Sequence, residues 1–192
     1  MNPQTIARLM LGGALAAEGA LALRRFEARR QAYQAAVRRA SEAGRPLIVV
    51  GDPDAGAHTR LVRAYGCGDR CIDLRGCPRC EMMQAADLTQ GLVAGIADDS
   101  AVVYVSCVLE YVTDPEAALR ELHRMAGSPD NLFLVLVEPW SLTAALYPGA
   151  RWAGGAGEHQ ITMKPITIPR KLATLGGLAG LLALTLWPRP AP

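Results

Sequence analysis

The chain has 192 residues, which is enough for one domain of ordinary size with a hydrophobic core. Its formal net charge of +2 does not by itself indicate nucleic-acid binding, and none of its partners is expected to be a nucleic acid. Hydrophobic residues make up 51% of the chain but aromatic residues only 5%, a bias typical of membrane helices as well as of a core.

The N-terminal segment is predicted to be a membrane helix over residues 1–23. Residues 9–23 form the apolar stretch LMLGGALAAEGALAL, which only Glu18 interrupts. This stretch is shorter than the ~20 residues of a usual spanning helix, but flanking residues and snorkelling arginines would extend it. A cleaved signal peptide is the alternative, which the weakly basic start fits poorly.

The next segment, residues 24–44, is predicted to be a basic helix beside the membrane. Its apolar side carries Phe26, Tyr33, Val37 and Ala40. The charged side is either a solvated surface or a surface attracted to anionic lipid headgroups. Its six arginines are Arg24, Arg25, Arg29, Arg30, Arg38 and Arg39.

A second membrane helix is predicted in residues 169–192, where LATLGGLAGLLALTLW follows Arg170 and Lys171. Gly176, Gly177 and Gly180 give this stretch a face of small residues, which suits close packing in lipid better than burial in a soluble core. Basic residues follow the first apolar segment and precede the second, on the side of each that adjoins the middle of the chain. The positive-inside rule therefore predicts that the middle of the chain faces the cytoplasm, where its cysteines would be reduced thiols.

Residues 45–168 are predicted to form an α/β domain, because short β-branched runs alternate with helical patterns. Such alternation favours a mainly parallel sheet with helices on both faces. A helix is predicted at 56–66, and the run at 159–168 is a further candidate strand. The strands are predicted at 46–51, 70–74, 83–88, 101–109 and 132–140.

The helix after Val112 is specified most strongly. Asp114 is suited to cap it, Pro115 fits its first position, and Glu116 suits the positive end of the helix dipole. The apolar stripe predicted to pack on the sheet consists of Ala118, Leu119, Leu122 and Met125.

Acidic residues follow three of the predicted strands, at the edge where open α/β sheets bind ligands. Asp52 and Asp54 follow the first strand, Asp73 ends the second, and Glu110 follows the fourth. They are either exposed loop acids or parts of a binding crevice. Two carboxylates in GDPDAGAH would repel a phosphate but tolerate a ligand with an ammonium or sulfonium group, such as S-adenosylmethionine.

The stretch SCVLEYVTDPEAALRELHRM closely resembles the fourth strand and following helix of class I S-adenosylmethionine-dependent methyltransferases, especially the small-molecule group. LFLVLVEPWS, ADDS and CIDLR resemble the fifth strand, the turn before strand four and the second strand of that family. The resemblance covers roughly residues 45–142. It implies a Rossmann-like fold with strand order 3-2-1-4-5.

The resemblance also implies roles for individual residues. S-adenosylmethionine would lie with its methionine end at the first turn, and Asp73 would bind the ribose hydroxyls. The residues implied at the cofactor site are Gly51, Asp52, Gly56, Asp73, Asp87, Glu110 and Tyr111, with Glu138 on the next strand.

The sequence departs from the family at the first turn. Val49 and Val50 stand where the family has an acid, and Pro53 and Asp54 interrupt its glycines. A narrowed cofactor cleft is therefore expected.

One hypothesis for the function is a membrane-anchored methyltransferase acting on a lipophilic or membrane-associated substrate. The second is a catalytically inactive structural or assembly subunit of a membrane complex or envelope. Both imply membrane lipids as partners, and the second implies protein partners.

A third hypothesis is a zinc-stabilised interaction module. Cys67, Cys71, Cys77 and Cys80 have the spacing C-x3-C-x5-C-x2-C, and four thiolates would suit tetrahedral zinc. Because Cys71 falls within a predicted strand, we expect scattered reduced thiols and no bound metal. Cys107 is expected to be an ordinary core residue, and no histidine has the spacing of a catalytic triad.

Overall fold

The structure is a computed structural model that describes residues 2–55 and 63–136, the backbone of two later strands, and five helical residues between 176 and 182. Predictions for 56–62, 137–150 and most of 169–192 lie outside the described residues. The elements in chain order are α1 (Pro3–Ala43), β1 (Leu47–Val50), β2 (Arg70–Asp73), β3 (Met83–Ala85), β4 (Val102–Ser106), α2 (Pro115–Ala126), a short 3-10 helix (Pro129–Asn131), β5 (Leu132–Val135), β6 (Arg151–Gly154) and β7 (Thr162–Pro165).

The first five strands form one parallel sheet in the order β3-β2-β1-β4-β5. This confirms the α/β class and the predicted strand order, which is consistent with a Rossmann-like fold. β7 lies within the run predicted at 159–168, but it pairs antiparallel with β6 in a separate two-stranded sheet.

Both faces of the sheet are covered, which explains why its strands read as continuous apolar runs. On one face, Val50, Ile72 and Val105 belong to the same buried cluster as residues of α2. On the other face, Val49 and Tyr104 belong to the same cluster as residues of α1. Helices therefore pack on both faces, as the sequence predicts.

The predicted membrane helix and basic helix form one continuous helix, α1. Nothing between them breaks the helix, and Gly44 ends it in a left-handed conformation with φ of +62°. By length and composition α1 is able to cross a membrane. Its apolar N-terminal part is largely exposed, including Ile6, Leu9, Met10, Leu15 and Leu23.

The C-terminal part of α1 packs on the sheet mostly as predicted. Ala40 is buried in that cluster, and Phe26 and Tyr33 are partly buried against it. Val37 is the exception, because it is 42% exposed. The predicted apolar side of this segment is therefore correct at three of its four positions.

α2 agrees with its predicted cap and stripe. The Asp114 carboxylate accepts hydrogen bonds from the backbone N–H groups of Glu116 and Ala117.

Two other elements were predicted to extend further than they do. β4 ends at Ser106, so that Glu110 lies in the turn beyond it, and residues 63–66 are not helical, so no helix reaches Gly66.

The expectation of scattered reduced thiols is wrong for four of the five cysteines. Cys67 forms a disulfide with Cys80, and Cys71 forms one with Cys77. Cys71 points to the α1 side of the sheet, where Cys77 and Cys80 are also buried. The sequence spacing did not reveal this proximity because the backbone has to reverse after β2 to create it.

Candidate functional site at the carboxyl edge of the sheet

The carboxyl ends of β1 and β4 meet where the strand order reverses, the position at which open α/β sheets bind ligands. Gly51 follows β1 with φ of +101°. A Cβ atom there would lie 2.9 Å from Val108 Cγ2 and 3.0 Å from the Ser106 carbonyl oxygen. The turn after β1 therefore packs directly on the end of β4, and only glycine fits it without strain.

The carboxylates of this turn are bonded within the chain. Asp52 Oδ1 accepts a hydrogen bond of 3.0 Å from the backbone N–H of Asp54. The buried carboxylate of Asp54 accepts two hydrogen bonds from the Arg63 guanidinium, one of them 2.7 Å from Nε. Pro53 is fully buried between them. The turn is thus a packed, internally bonded loop.

Asp73 lies next to this turn. Its Oδ2 accepts a hydrogen bond of 3.2 Å from the backbone N–H of Asp52, and its Oδ1 accepts one of 3.0 Å from that of Arg75. The residue is partly exposed. Asp73 therefore joins the ends of β1 and β2 without being fully buried.

Asp87, the predicted adenine neighbour, lies in the turn after β3. Its Oδ1 accepts hydrogen bonds from the hydroxyl of Thr89 at 2.7 Å and from the backbone N–H of Thr89 at 2.9 Å. These bonds hold the pKa of the Asp87 carboxyl below its ordinary value. The described contacts of Asp87 stabilise its own turn.

Glu110 and Tyr111 lie in the turn after β4. Glu110 is 1% exposed and Tyr111 is partly exposed, and the backbone N–H of Tyr111 donates to the carbonyl of Val108 at 2.9 Å. The structure thus places Glu110 inside the fold and not on an open crevice wall. Two further predicted residues, Gly56 and Glu138, lie outside the described residues.

A contact between Arg29 and Cys107 was not predicted. Arg29 of α1 donates from Nη2 to Cys107 Sγ at 2.9 Å. Cys107 follows β4 directly and has φ of +54°, a left-handed conformation that is uncommon for a residue with a side chain. Burial raises the pKa of the Cys107 thiol, and the Arg29 cation opposes that rise. The expectation of an ordinary core cysteine is therefore wrong.

Two tyrosines complete the surroundings of this contact. The hydroxyl of Tyr104 donates to the carbonyl of Arg29 at 3.2 Å, and that of Tyr65 donates to the carbonyl of Asp52 at 3.3 Å. Burial raises the pKa of Tyr65 to about 12, so its hydroxyl is neutral at physiological pH. These contacts of Arg29, Tyr65 and Tyr104 connect α1 with the ends of β1 and β4.

No family model, curated protein or solved structure matches the chain.

Of the predicted cofactor residues, Gly51, Asp52 and Asp73 lie together at the carboxyl edge, whereas the described side-chain hydrogen bonds of Asp87 are made within its own turn. A groove of about 790 Å³ lies at the opposite, amino-terminal edge of the sheet, between the end of α1 and the segment before β2. Its lining includes Val37, Leu47 and Asp69. This groove contains none of the predicted cofactor residues.

Proposed function

We propose that the protein is a membrane-anchored structural or assembly subunit of a membrane complex or envelope, with a methyltransferase-like domain that has lost catalysis. The observation that supports this most is the internal bonding at the carboxyl edge. Asp54 is bonded to Arg63, Asp73 accepts from the Asp52 backbone, and Arg29 bonds Cys107.

Electrostatics at the switch point supports the same proposal. S-adenosylmethionine carries a sulfonium cation, and the guanidinium of Arg29 lies against the end of β4 where the family holds that group. Two like charges at short range in a partly desolvated site repel each other. Burial lowers and the neighbouring Cys107 raises the pKa of Arg29, with a net rise, so the guanidinium stays charged.

An active methyltransferase is the second candidate, and the partial exposure of Asp73 favours it. An ionised carboxylate has about four lone-pair sites, of which two backbone N–H groups occupy two in Asp73. The other sites are able to accept ribose hydroxyls. An enzyme of this kind at a membrane would act on a lipophilic or membrane-associated substrate.

Calorimetric titration of the detergent-solubilised chain with S-adenosylmethionine and with its demethylated product distinguishes the two candidates. We expect no binding at micromolar concentrations of either ligand, because the turn after β1 is internally bonded and the Arg29 cation lies at the end of β4. Micromolar binding that Asp73→Ala weakens by about 1.5–3 kcal/mol, the usual value of a hydrogen bond to a charged group, would instead establish a cofactor site. Asp130→Ala is the matched control, since Asp130 is an exposed aspartate remote from this edge.

Anchoring through α1 is the second part of the proposal. Glu18, the one acid of its apolar stretch, forms an ion pair of 3.2 Å with Arg25 two turns later. Pairing of this kind reduces the cost of placing an acid near lipid. The arginines that follow favour the cytoplasmic side for the domain, with anionic lipid headgroups as partners.

A charge placed in the exposed apolar part of α1 should release the protein from lipid. Leu15 is 59% exposed, and an aspartate near the centre of a membrane helix costs about 3 kcal/mol. Leu15→Asp should therefore weaken vesicle association roughly 100-fold, as measured by flotation with phosphatidylcholine–phosphatidylserine vesicles. Leu92→Asp is the control, because Leu92 is 75% exposed on the domain and should not affect flotation. Equal flotation of Leu15→Asp and wild type would exclude insertion of α1.

A further inference from the structure

We propose that Cys67, Cys71, Cys77 and Cys80 bind one zinc ion in the reduced protein, and that the two disulfides are the oxidised state of the same site. The proposal does not depend on the function of the carboxyl edge, but its argument from the cellular compartment rests on the proposed anchoring of α1. It replaces the expectation of no metal, which relied on Cys71 lying within a predicted strand and pointing into the sheet.

The sulfur atoms are already gathered around one point. The Sγ atoms of Cys71, Cys77 and Cys80 all lie within 4.8 Å of one another, and Cys67 is bonded to Cys80. Zinc–sulfur bonds of about 2.3 Å in a tetrahedron separate the sulfurs by about 3.8 Å. Side-chain rotation after cleavage of the disulfides is thus enough to place four thiolates around one ion.

The backbone presents the cysteines in two close pairs, as structural zinc sites do. Cys77 and Cys80 close a tight turn, in which the N–H of Cys80 donates to the carbonyl of Cys77 at 2.9 Å. Cys67 and Cys71 are separated by three residues, and Gly68 between them has φ of +62°. That left-handed residue turns the chain into β2 close to the second pair.

The fold explains why a cross-linked cluster is needed at this position. Residues 74–82 connect two parallel strands, β2 and β3, and are fewer than the dozen or so of a helical crossover. The connection at 74–82, all of which the structure describes, thus contains no helix that could cover β2 on the α1 side. Cys71 and Cys77 are fully buried and Cys80 is 7% exposed, so the cluster itself is the core at this position.

The membrane orientation favours reduced cysteines. The basic residues after the apolar part of α1 place the domain on the cytoplasmic side, where disulfides rarely persist. Four thiols close together in a reducing compartment, three of them buried, form a metal site more often than they remain free. Zinc binding thus explains why four sulfur atoms cluster in a domain that faces the reducing cytoplasm.

The turn that carries Cys77 and Cys80 contacts both Cys67 and the turn after β1. Arg79 lies between Cys77 and Cys80 in sequence, and its carbonyl oxygen is 4.0 Å from Cys67 Sγ. The exposed Arg79 side chain lies 4.0 Å from the Asp54 carboxylate.

The conversion balances as follows. Two molecules of a dithiol reductant supply four electrons and four protons, the two protein disulfides become four thiols, and the reductant becomes two disulfides. Zinc binding then ionises the thiols and releases up to four protons, so affinity for the metal rises with pH.

The test uses the full chain in detergent, reduced with a phosphine, mixed with excess zinc sulfate and desalted. We expect about one zinc per chain by elemental analysis, and none in the oxidised protein. Cobalt in place of zinc should give the thiolate-to-cobalt absorption of a tetrahedral site. In the native reduced protein, zinc should protect four cysteines from alkylation and leave Cys107, the free cysteine, unprotected.

Variants separate the site from incidental binding. Cys77→Ser should lose the zinc, whereas Cys107→Ser should keep it. If Cys77→Ser does not fold, Cys67→Ser is the alternative, because Cys67 is the most accessible of the four and its loss should weaken binding at least tenfold. Absence of zinc from the folded, reduced protein would overturn the proposal. So would disulfides that the phosphine cannot reduce without unfolding the chain, or zinc that persists in both variants.

Discussion

Arg124→Ala is expected to lower the free energy of unfolding by about 3 kcal/mol, because it leaves a buried carboxylate without its cation. Arg124 donates to both carboxylate oxygens of Glu121, from Nε at 2.8 Å and from Nη2 at 2.7 Å. It also donates to the Ile96 carbonyl at 2.9 Å and to Asp98 at 2.6 Å. One guanidinium thus joins α2 to the long coil between β3 and β4.

Urea denaturation of the detergent-solubilised protein measures this loss. Arg120→Ala is the matched control, since Arg120 is an exposed arginine on the same helix. Glu121→Gln combined with Arg124→Ala should recover part of the loss, because glutamine still accepts the 2.8 Å hydrogen bond from the Val93 backbone without a buried charge. An unchanged urea midpoint for Arg124→Ala would show that the coil does not depend on this ion pair.

The same pair should make stability depend on pH. Burial raises the pKa of Glu121, but the hydrogen bonds from Arg124 and Val93 outweigh burial and lower the pKa below its ordinary value. A carboxyl whose folded pKa is depressed stabilises the protein above its unfolded pKa, and this contribution is lost as the pH falls through the folded pKa. Wild type should therefore lose more stability between neutral and acidic pH than Arg124→Ala does.

The strands were accessible from the sequence because local patterns specify them, whereas their order was expected from the resemblance to a known family. Runs such as LIVV and VVYV are buried on both faces, and turn residues separate them from the helical segments. Asp114 and Pro115 likewise specify the start of α2 through purely local hydrogen bonding. The strand bounds were predicted too long because apolar residues continue into the turn at 107–110, which packs inside the fold.

Features that depend on contacts between distant residues were not accessible. The division of α1 at residue 23 followed a change from apolar to basic composition, which alters what surrounds a helix but does not end it. The contact between Arg29 and Cys107 spans 78 positions, and the disulfide pairs depend on how the chain reverses after β2. Composition and spacing do not encode such distances.

At the candidate site, the position of the acidic residues was predictable from the sequence, but their hydrogen-bond partners were not. The sequence predicted Asp52 and Asp73 at the same edge of the sheet, because the carboxyl ends of parallel strands share one edge. The hydrogen bond of Asp73 with the Asp52 backbone was not foreseen, nor was the ion pair of Asp54. Sequence motifs locate such a site, but whether its polar groups bind a ligand or one another depends on side-chain geometry.

Gly68→Ala is expected to destabilise the fold by about 3 kcal/mol, of which backbone strain supplies about 1 and steric overlap the rest. A Cβ atom on Gly68 would lie 2.6 Å from the Leu47 carbonyl oxygen, a backbone atom that is itself bonded to the N–H of Asp69 at 2.9 Å. Gly44→Ala separates the two contributions, because Gly44 has the same φ of +62° and nothing within 4 Å of its added Cβ. It should lose only about 1 kcal/mol in the same urea titration. Equal losses in the two variants would mean that the loop at Gly68 shifts to make room for the methyl group. The contact of Gly68 with β1 would then not determine where β2 begins.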